Sequence, residues 1–231
     1  MTDAHDIEAQ TREYYRGRAL EYDEWYHRRG GYSHGAADDN AWAQELTEIE
    51  AFMAPLHDRL VFEVAAGTGW WTRRLAARNR LIASDYAPEM IERARAADAV
   101  EHVVPRCRAD AYRLPVSAQT FDACVFNFFL SHVPVPRAPE FVRQAARIVR
   151  FGGELWMADS RQDPRSGKQG QRVPGARVQR QERELNDGRT FAIWKIYWTP
   201  ADLRFLFGLV CHDVEVRQTE RFFILARGIV S

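Results

Sequence analysis

Residues 60–72 read Leu60-Val61-Phe62-Glu63-Val64-Ala65-Ala66-Gly67-Thr68-Gly69-Trp70-Trp71-Thr72. A short apolar run that carries the acid Glu63 is followed by two close glycines and then by a helical pattern. This order predicts a buried strand, a tight glycine turn and the start of a helix. Glycines let the backbone approach a ligand closely, and the first N–H groups of a helix have no partner within it. Because open α/β sheets bind ligands at the carboxyl ends of their strands, the stretch predicts a site for a nucleotide-like ligand.

Glu63 and the spacing of the two glycines indicate which class of ligand binds here. A dinucleotide site has the pattern G-x-G-x-x-G, but Thr72 stands at the third glycine position and Ala65 stands where a first glycine would be. A carboxylate at Glu63 would repel a pyrophosphate and attract an ammonium group. The stretch resembles motif I of the class I S-adenosylmethionine (SAM) methyltransferases, written acid-x-small-x-G-x-G. The resemblance implies SAM, whose α-amino group and sulfonium suit an acidic rim; a glycine turn after any buried strand is the alternative.

Composition limits the class of protein. The 231 residues are 46% hydrophobic, which suits one α/β domain with a full core. The 32 basic and 32 acidic residues balance, so no long-range field draws the chain to nucleic acid or to an anionic membrane. The three cysteines show no C-x-x-C spacing, and no cluster of His, Cys and Asp has the spacing of metal ligands. With no signal-peptide pattern either, we expect a cytoplasmic monomer or homodimer without a metal.

Strand and helix patterns alternate after the glycine stretch. Apolar runs at residues 81–85, 103–110, 121–128 and 154–159 predict four further strands, with helices between most of them. Two last strands are expected at residues 212–218 and 221–226. The alternation predicts an α/β fold with a doubly wound, mostly parallel sheet. The resemblance to class I methyltransferases implies its seven-stranded, Rossmann-like form.

Two segments of this single domain, residues 1–231, are expected to lie outside the sheet. Residues 1–54 predict two helices, about 6–29 and 39–54, and the first holds five aromatic residues between positions 14 and 26. These aromatics either pack the helix on the domain or form a lid over cofactor and substrate. Residues 160–200 predict a basic, solvated surface loop to about residue 175 and then a β-hairpin around Asn186-Asp187-Gly188. Loop and hairpin are expected to cap the substrate site.

Acidic side chains follow the predicted strands. Asp85 lies about 20 residues after the glycine turn, where an acid binds both ribose hydroxyls. We expect it to serve the ligand and to leave the stability of the unliganded protein unchanged. The resemblance implies that Asp110 binds the adenine amino group and that Asn127 and Phe128 lie by the methionine end. The predicted SAM-contacting residues are Tyr15, Tyr22, Glu63, Ala65, Gly67, Gly69, Thr72, Asp85, Tyr86, Met90, Asp110, Ala111, Asn127 and Phe128.

The resemblance extends over most of the chain to a small bacterial group of SAM methyltransferases that includes the dehydrophos phosphonate O-methyltransferase. It is carried by residues 14–23, 67–73, 130–134 and 183–191 and by Lys195. In that group a histidine, an arginine and a lysine that match His132, Arg183 and Lys195 lie near an anionic substrate. Residues 30–40 and 160–175 depart from the group. These departing segments are the ones expected to shape the substrate pocket.

The same residues are candidates on chemical grounds. His132 follows the fourth predicted strand, and an imidazole with a pKa of about 6.5 suits proton removal or anion binding. Lys195 lies on an apolar arm of the hairpin and needs a charge partner, since burying an unpaired ammonium group is unfavourable. Alternatively, His132 is hydrogen-bonded within its loop, and Lys195 reaches the surface or pairs with Glu182 or Glu184. We predict that His132 is catalytic and that the substrate site consists of Tyr32, His132, Arg183 and Lys195.

Together these features predict a SAM-dependent methyltransferase of secondary metabolism that O-methylates a small anionic metabolite, such as a phosphonate or carboxylate. S-adenosylhomocysteine would be its product. N-methylation of a small heterocycle or amine is the alternative, favoured by the many aromatic residues. A SAM-binding protein without turnover would follow if lid and hairpin left no cavity beside the methyl group. Balanced charge disfavours a nucleic-acid methyltransferase, and Glu63 with the missing third glycine disfavours a dehydrogenase.

Overall fold

The computed structural model of the chain describes residues 4–98, 104–171 and 175–231. Its helices are α1 (Ala4–Gly17), α2 (Glu24–His27), α3 (Ala36–Met53), α4 (Trp70–Ala76), α5 (Pro88–Ala96), α6 (Ala138–Ile148) and α7 (Pro200–Gly208). Its strands are β1 (Leu60–Val64), β2 (Arg80–Asp85), β3 (Arg106–Arg108), β4 (Phe121–Val125), β5 (Val149–Ser160), β6 (Val178–Glu184), β7 (Thr190–Ile196), β8 (Cys211–Gln218) and β9 (Phe223–Val230). The third predicted strand is shortened to β3, and residue 103 lies outside the described residues.

Seven strands form the main sheet in the order β3-β2-β1-β4-β5-β9-β8. Strands β1 to β5 run parallel, and β9 runs antiparallel between β5 and β8. This confirms the predicted doubly wound, mostly parallel sheet. The strand order reverses at β1, which pairs with β2 on one side and with β4 on the other. The carboxyl end of β1 therefore lies at the switch point where such sheets bind ligands.

Both faces of the sheet are covered by apolar side chains. One core cluster contains Phe141 of α6 and Phe207 of α7, and the other contains Trp42 of α3 and Trp71 of α4. Strand β1 is buried along most of its length, as expected for a parallel strand between two helical layers. These two clusters fix the positions of the strand ends that bound the site.

The N-terminal segment is not the single helix predicted for residues 6–29. Helix α1 ends at Gly17, and a 3-10 turn follows at Arg18–Leu20 before the short α2. A Cβ at Gly17 would lie 2.6 Å from Cδ1 of Leu185, so the glycine lets the hairpin pack against the end of α1. Beyond the break, Tyr26 stacks on Trp70 with the ring centroids 4.4 Å apart. The break therefore lets one segment pack on both the hairpin and the glycine turn.

The predicted hairpin is present as β6 and β7, which form a two-stranded sheet separate from the main one. Gly188 of its turn has φ 87°, in the left-handed region that such turns require. Helix α1 packs along β7, and the N–H of Ala192 donates to Oε1 of Gln10 (2.9 Å). The hairpin is thus held by the N-terminal helix.

Residues 160–171 fold against the N-terminal segment, so the predicted solvated surface loop is only partly correct: Gln162, Pro164, Arg165, Gln169 and Gly170 are exposed, but Ser166 and Gly167 are buried. Ser166 is buried, and its carbonyl accepts a hydrogen bond from the indole N–H of Trp25 (2.7 Å). The N–H of Gln169 donates to the carbonyl of Gly31 (2.7 Å). Among the helices that the structure describes, none is long and apolar enough to cross a membrane.

Candidate active site

The glycine turn after β1 is shaped by its backbone conformation and by one carboxylate. Gly67 and Gly69 have φ of 57° and 78°, in the left-handed region that favours glycine, and Ala65 shares this region with φ 54°. The N–H of Gly67 donates to Oδ2 of Asp85 (2.8 Å), and the N–H of Ala87 donates to Oδ1 (2.9 Å). Asp85 therefore joins the turn to the start of α5. The expectation that it has no role in the unliganded protein is wrong.

A cavity of about 130 Å³ lies between the ends of β1, β2 and β4 and the N-terminal segment, and we call it the strand-end cavity. Phe128, which follows β4, lines it with φ 56°, an uncommon conformation that often marks functional sites. The predicted SAM-contacting residues that line the cavity are Tyr15, Tyr22, Ala65, Gly67, Asp85, Tyr86, Met90, Ala111 and Phe128.

The other predicted SAM-contacting residues, Glu63, Gly69, Thr72, Asp110 and Asn127, do not line the cavity. Glu63 is 2% exposed and accepts a hydrogen bond from the hydroxyl of Thr72 (2.6 Å). Burial raises the pKa of Glu63 to about 7. Oδ1 of Asn127 accepts from the N–H of Ala158 (2.8 Å) and so ties the segment after β4 to β5. Glu63 and Asn127 thus support the turns that bound the cavity.

Helix α1 contributes lining residues that the sequence analysis missed, Thr11 and Arg12. The guanidinium carbon of Arg12 lies 4.3 Å from the ring centroid of Tyr86, and its Nη2 lies 3.9 Å from Oδ2 of Asp110. Both residues lie three or four positions before Tyr15 and therefore on the same helix face. This spacing could have predicted them as lining residues once Tyr15 was a candidate. The other missed lining residues are Val64, Ala87, Ala109 and Phe129.

The lining offers the groups that SAM requires. Asp85 presents a carboxylate at the end of β2, where ribose hydroxyls bind in such folds, and a carboxylate has lone pairs beyond the two already used. Met90 and Ala111 provide an apolar wall for a ring. A Cβ at Gly67 would lie 3.9 Å from Cε1 of Tyr22 and would occupy the space between turn and lid. The described residues therefore fit this cofactor.

A second cavity, of about 50 Å³, adjoins the first at Tyr15, Tyr22, Phe128 and His132, which line both. We call it the cation-lined cavity, because Arg18, Arg183 and Lys195 also line it. The remaining lining residues are Trp25, Tyr32, Ser160, Asp163, Ser166, Gly167, Gln171 and Tyr197. The structure thus brings together all four residues of the predicted substrate site. Arg18, Ser166 and Gln171 also line this cavity and were not predicted from the sequence.

His132 lies where the two cavities meet. Its Nδ1 is 2.8 Å from the carbonyl oxygen of Trp194, which can only accept, so Nδ1 carries the proton. Its Nε2 lies 2.7 Å from the hydroxyl of Tyr15 and therefore accepts that hydrogen bond. Burial and the charge of Lys195 hold the pKa of His132 well below its usual range, so the imidazole is neutral at pH 7. Burial likewise raises the pKa of Tyr15, which keeps its phenol protonated.

Lys195 is held in a buried polar network and does not reach the surface. It is 6% exposed, its Nζ donates to Oγ of Ser131 (2.8 Å) and it lies 3.6 Å from Oδ1 of Asp159. Asp159 also accepts hydrogen bonds from the N–H groups of Ser131 (2.8 Å) and Ser160 (2.7 Å). Burial lowers the pKa of Lys195 to about 8, with Asp159 opposing the shift. Its charge partner is therefore Asp159, not the glutamates of the opposite arm.

Arg183 lies between the cation-lined cavity and an outer groove of about 940 Å³. Its Nη1 donates to Oε1 of Gln171, and its Nη2 donates to Oε1 of Gln181 (2.6 Å). Both partners are neutral amides. Within residues 4–98, 104–171 and 175–231, no carboxylate forms an ion pair with this guanidinium. The positive charge of Arg183 can therefore bind an anionic ligand.

Among the described residues, the cysteines and acidic side chains form no metal site. Cys107, Cys124 and Cys211 are free thiols, and the last two are buried. Within the part of the chain that the structure describes, no group of three or more His, Cys, Asp or Glu side chains is placed to hold a metal ion.

Comparison with known proteins places this geometry in a family. Residues 61–153 match the family model described as a methyltransferase domain. DhpI, solved as a complex with SAM and HEP, is 28% identical to this chain with a TM-score of 0.74, over 98% of this chain and 99% of DhpI. The chain is a class I SAM-dependent methyltransferase. SAM is its cofactor and S-adenosylhomocysteine its product, in agreement with the DhpI complexes with SAM and with SAH.

The methyltransferase is also similar to proteins named for other acceptors. The 1,6-didemethyltoxoflavin-N1-methyltransferase of Burkholderia thailandensis is 14% identical with a TM-score of 0.62, over 100% of this chain and 92% of that one, which shows a shared fold. The demethylmenaquinone methyltransferase of Clavibacter sepedonicus is 30% identical over 119 residues, which are 51% of this chain and 46% of that protein. The methyltransferase thus spans less than half the length of the curated relatives that it matches.

Proposed function

We propose that the methyltransferase transfers the methyl group of SAM to an oxygen of a small anionic metabolite, a phosphonate or a carboxylate. The observation that carries this proposal is the cation-lined cavity, in which Arg18, Arg183 and Lys195 lie beside the strand-end cavity. One water molecule needs about 10–15 Å³, so a cavity of about 50 Å³ admits a head group of a few non-hydrogen atoms. The acceptor is therefore small at the end that is methylated.

Charge balance in this cavity favours an anion. Lys195 is compensated by Asp159, and Asp163, which also lines the cavity, pairs with Arg165 (3.1 Å). Arg183 hydrogen-bonds only neutral amides in the described structure. A planar guanidinium binds two oxygens of a carboxylate or phosphonate at once, and an ammonium group adds a point charge. An anionic acceptor would therefore supply the charge that this cavity lacks.

For methyl transfer from SAM, the protein has mainly to orient the acceptor and exclude water. SAM, when bound, supplies a methyl group already activated by its sulfonium. An ionised oxygen has a free lone pair and needs no base, so the cations need only hold it in place. His132 is our candidate catalytic residue because its Nε2 reaches Tyr15 at the junction of the cavities (2.7 Å). For an acceptor that still carries a proton, the hydroxyl of Tyr15 would take that proton while passing its own to Nε2 of His132, to which it already donates.

N-methylation of a small heterocycle or amine is the second candidate. It is favoured by the aromatic side chains of Tyr22, Trp25 and Phe128, which line the same cavity. A flat ring could stack there, and the likeness in fold to the toxoflavin N1-methyltransferase agrees with such an acceptor. Against it, a cationic or neutral ring leaves the charge of Arg183 without a partner. The DhpI complex with HEP, at higher identity, supports the first candidate.

Methyl transfer from tritium-labelled SAM to a panel of small acceptors should separate the two candidates. We expect label in small phosphonates or carboxylates, because the cation-lined cavity binds their charge. We expect none in uncharged heterocycles and amines of similar size. Omitting the acceptor controls for slow hydrolysis of SAM. Labelling of amines or heterocycles alone would contradict the O-methylation proposal.

The charge of Lys195 should make turnover depend on pH. Its pKa of about 8 means that it loses its proton as the pH rises through that value, so kcat/KM for an ionised acceptor should fall above pH 8. The fall should approach about tenfold per pH unit if only the charged form binds the anion. An acceptor whose own charge is constant above pH 7.5 should be used. Lys195→Arg, which stays charged, should give a flat profile; an unchanged fall in that variant would exclude Lys195 as its source.

A further inference from the structure

The cation-lined cavity contains three buried donors that have no hydrogen-bond partner among the described residues. They are Nε of Arg18, Oγ of Ser166 and Nε2 of Gln171. A buried donor without a partner is unfavourable, and such groups in a folded protein call for an explanation. All three residues line the same small cavity, and each keeps one unpaired donor buried beside it. A ligand rich in acceptor oxygens would satisfy them together.

Arg18 is the most unusual of the three. It is 8% exposed, and its only hydrogen bond within the described residues is from Nη2 to the hydroxyl of Tyr32 (2.9 Å). Its guanidinium carbon lies 4.7 Å from the ring centroid of Tyr22 and 5.5 Å from that of Tyr14. These rings attract a cation but do not neutralise it. No carboxylate of the described residues forms an ion pair with Arg18, so a full charge is buried beside the cavity without a counterion.

Other contacts fix Gln171 and Ser166 and leave one donor of each side chain without a partner among the described residues. Oε1 of Gln171 accepts from Arg183, which identifies its Nε2 as the donor left over. The segment around Ser166 is fixed by Trp25, whose indole donates to the carbonyl of Ser166 (2.7 Å). Both residues belong to residues 160–175, which depart from the group that the chain resembles. The contacts they offer are therefore a property of this chain.

We propose that Arg18, Ser166 and Gln171 form a donor set that, with Arg183, selects a tetrahedral dianion as the head group of the acceptor. Two guanidinium charges lack a carboxylate partner, and a phosphonate or phosphate monoester supplies two charges and three oxygens. A carboxylate supplies one charge and has its two oxygens in one plane, so it would neutralise only one of the two guanidinium groups. This inference rests on the proposed anionic acceptor, and it assigns the recognition of that acceptor to three further residues.

Calorimetry on the protein loaded with S-adenosylhomocysteine tests the inference, with methylphosphonate and acetate as probes at pH 8. Wild type should bind methylphosphonate about tenfold or more tightly than acetate. Arg18→Met, which keeps the apolar stem, should weaken methylphosphonate binding about tenfold or more and abolish most of this preference. Ser166→Ala should weaken it severalfold. Affinity for S-adenosylhomocysteine should stay unchanged in both variants.

Arg28→Met is the matched control. Arg28 is also buried on the N-terminal segment and lies over an aromatic ring, with its guanidinium carbon 4.5 Å from the ring centroid of Trp42. Its Nε is paired with Asp39 (3.4 Å), however, and it lines neither the strand-end nor the cation-lined cavity. Its Nη2 donates to the carbonyl of Arg165 (2.5 Å), next to Ser166. Its loss should therefore act on methylphosphonate binding only through that segment, and by much less than Arg18→Met does.

The outcomes separate this inference from the proposed function. Methylphosphonate binding that survives Arg18→Met but is lost in Arg183→Met would overturn the role of Arg18 and leave the anionic acceptor standing. No binding of either probe by wild type would overturn the anionic acceptor itself. Should Arg18→Met fail to fold, Ser166→Ala decides, because an unchanged methylphosphonate affinity in that variant would contradict the donor set.

Discussion

Lys195→Met should lower the free energy of unfolding by about 3–5 kcal/mol, because it removes one partner of a buried ion pair. Asp159, which is fully buried, would keep the hydrogen bonds from Ser131 and Ser160. It would lose the one cation that pairs with it among the described residues, whose Nζ lies 3.6 Å from Oδ1. The same change should raise KM for an anionic acceptor about tenfold to a hundredfold, the usual effect of losing a charged contact. Urea unfolding and steady-state kinetics measure the two effects.

A double variant separates stability from recognition. Lys195→Met combined with Asp159→Asn removes both charges, and replacing a whole buried ion pair is often neutral for stability. We expect the double variant to recover most of the lost stability and to keep the high KM. Binding of S-adenosylhomocysteine should stay near wild type in both variants, since Lys195 does not line the strand-end cavity. If Lys195→Met methylates the true acceptor as well as wild type does, Lys195 does not bind an anionic acceptor, and N-methylation becomes the favoured candidate.

Asp85→Ala should weaken the binding of S-adenosylhomocysteine by about 1–3 kcal/mol, because ligand hydroxyls lose a charged partner. The variant should also be less stable without ligand. Its carboxylate accepts the N–H groups of Gly67 (2.8 Å) and Ala87 (2.9 Å), which would then lack a partner. Calorimetry measures the affinity for S-adenosylhomocysteine, and thermal unfolding measures the stability of the unliganded protein. An unchanged affinity would place the ribose elsewhere.

Asp122→Ala is the control for the loss of stability. Asp122 lies on β4, where its Oδ2 accepts from the N–H of Leu60 (2.8 Å) and its Oδ1 pairs with Arg150 (2.9 Å). Leu60 is the first residue of β1, so this aspartate lies at the end of the strand remote from the glycine turn. Its removal should lower the melting temperature while leaving the affinity for S-adenosylhomocysteine unchanged. The comparison isolates the part of the Asp85 effect that belongs to the ligand.

The two cavities draw their residues from different parts of the chain. The ends of β1, β2 and β4 supply much of the strand-end cavity, with helix α1 above them. The cation-lined cavity takes Arg18 and Tyr32 from the N-terminal segment, Ser166 and Gln171 from the following loop, and Lys195 from the hairpin. Under the proposed function, residues added to the core sheet would surround the acceptor, while the strand ends of the sheet would hold the cofactor. This division suits a fold in which the acceptor can change while the cofactor stays the same.

The sequence by itself determined the mostly parallel sheet and the glycine turn at its switch point. A buried strand, a glycine turn and an acid at the next strand end are local patterns, and the backbone conformation of Gly67 and Gly69 follows from residue type. The alternation of strands and helices then predicted a mostly parallel sheet, because parallel strands need crossover helices. The strand ends had to meet at one edge. Asp85 and Phe128 therefore lie together there as predicted.

Only the tertiary structure decided the partners of the buried charges. Lys195 is opposite Gln179 in the hairpin register, whereas Glu182 is opposite Ala192, so the glutamates of the other arm lie away from the lysine. Its partner, Asp159, belongs to β5 of the main sheet. Which side of the hairpin faces that sheet depends on packing between elements far apart in the chain, and no local periodicity records it.

The burial of Arg18 could not be predicted from the sequence for the same reason. In the sequence it sits in a run that predicts a continuous helix, and on such a helix an arginine is ordinarily solvated. Helix α1 ends instead at Gly17, where a Cβ would lie 2.6 Å from Leu185 of the hairpin turn, and the next residue turns inward. The end of α1 thus packs against a residue more than 160 positions away in the chain. Local propensity cannot report such a contact, so the burial of this charge was decided by packing alone.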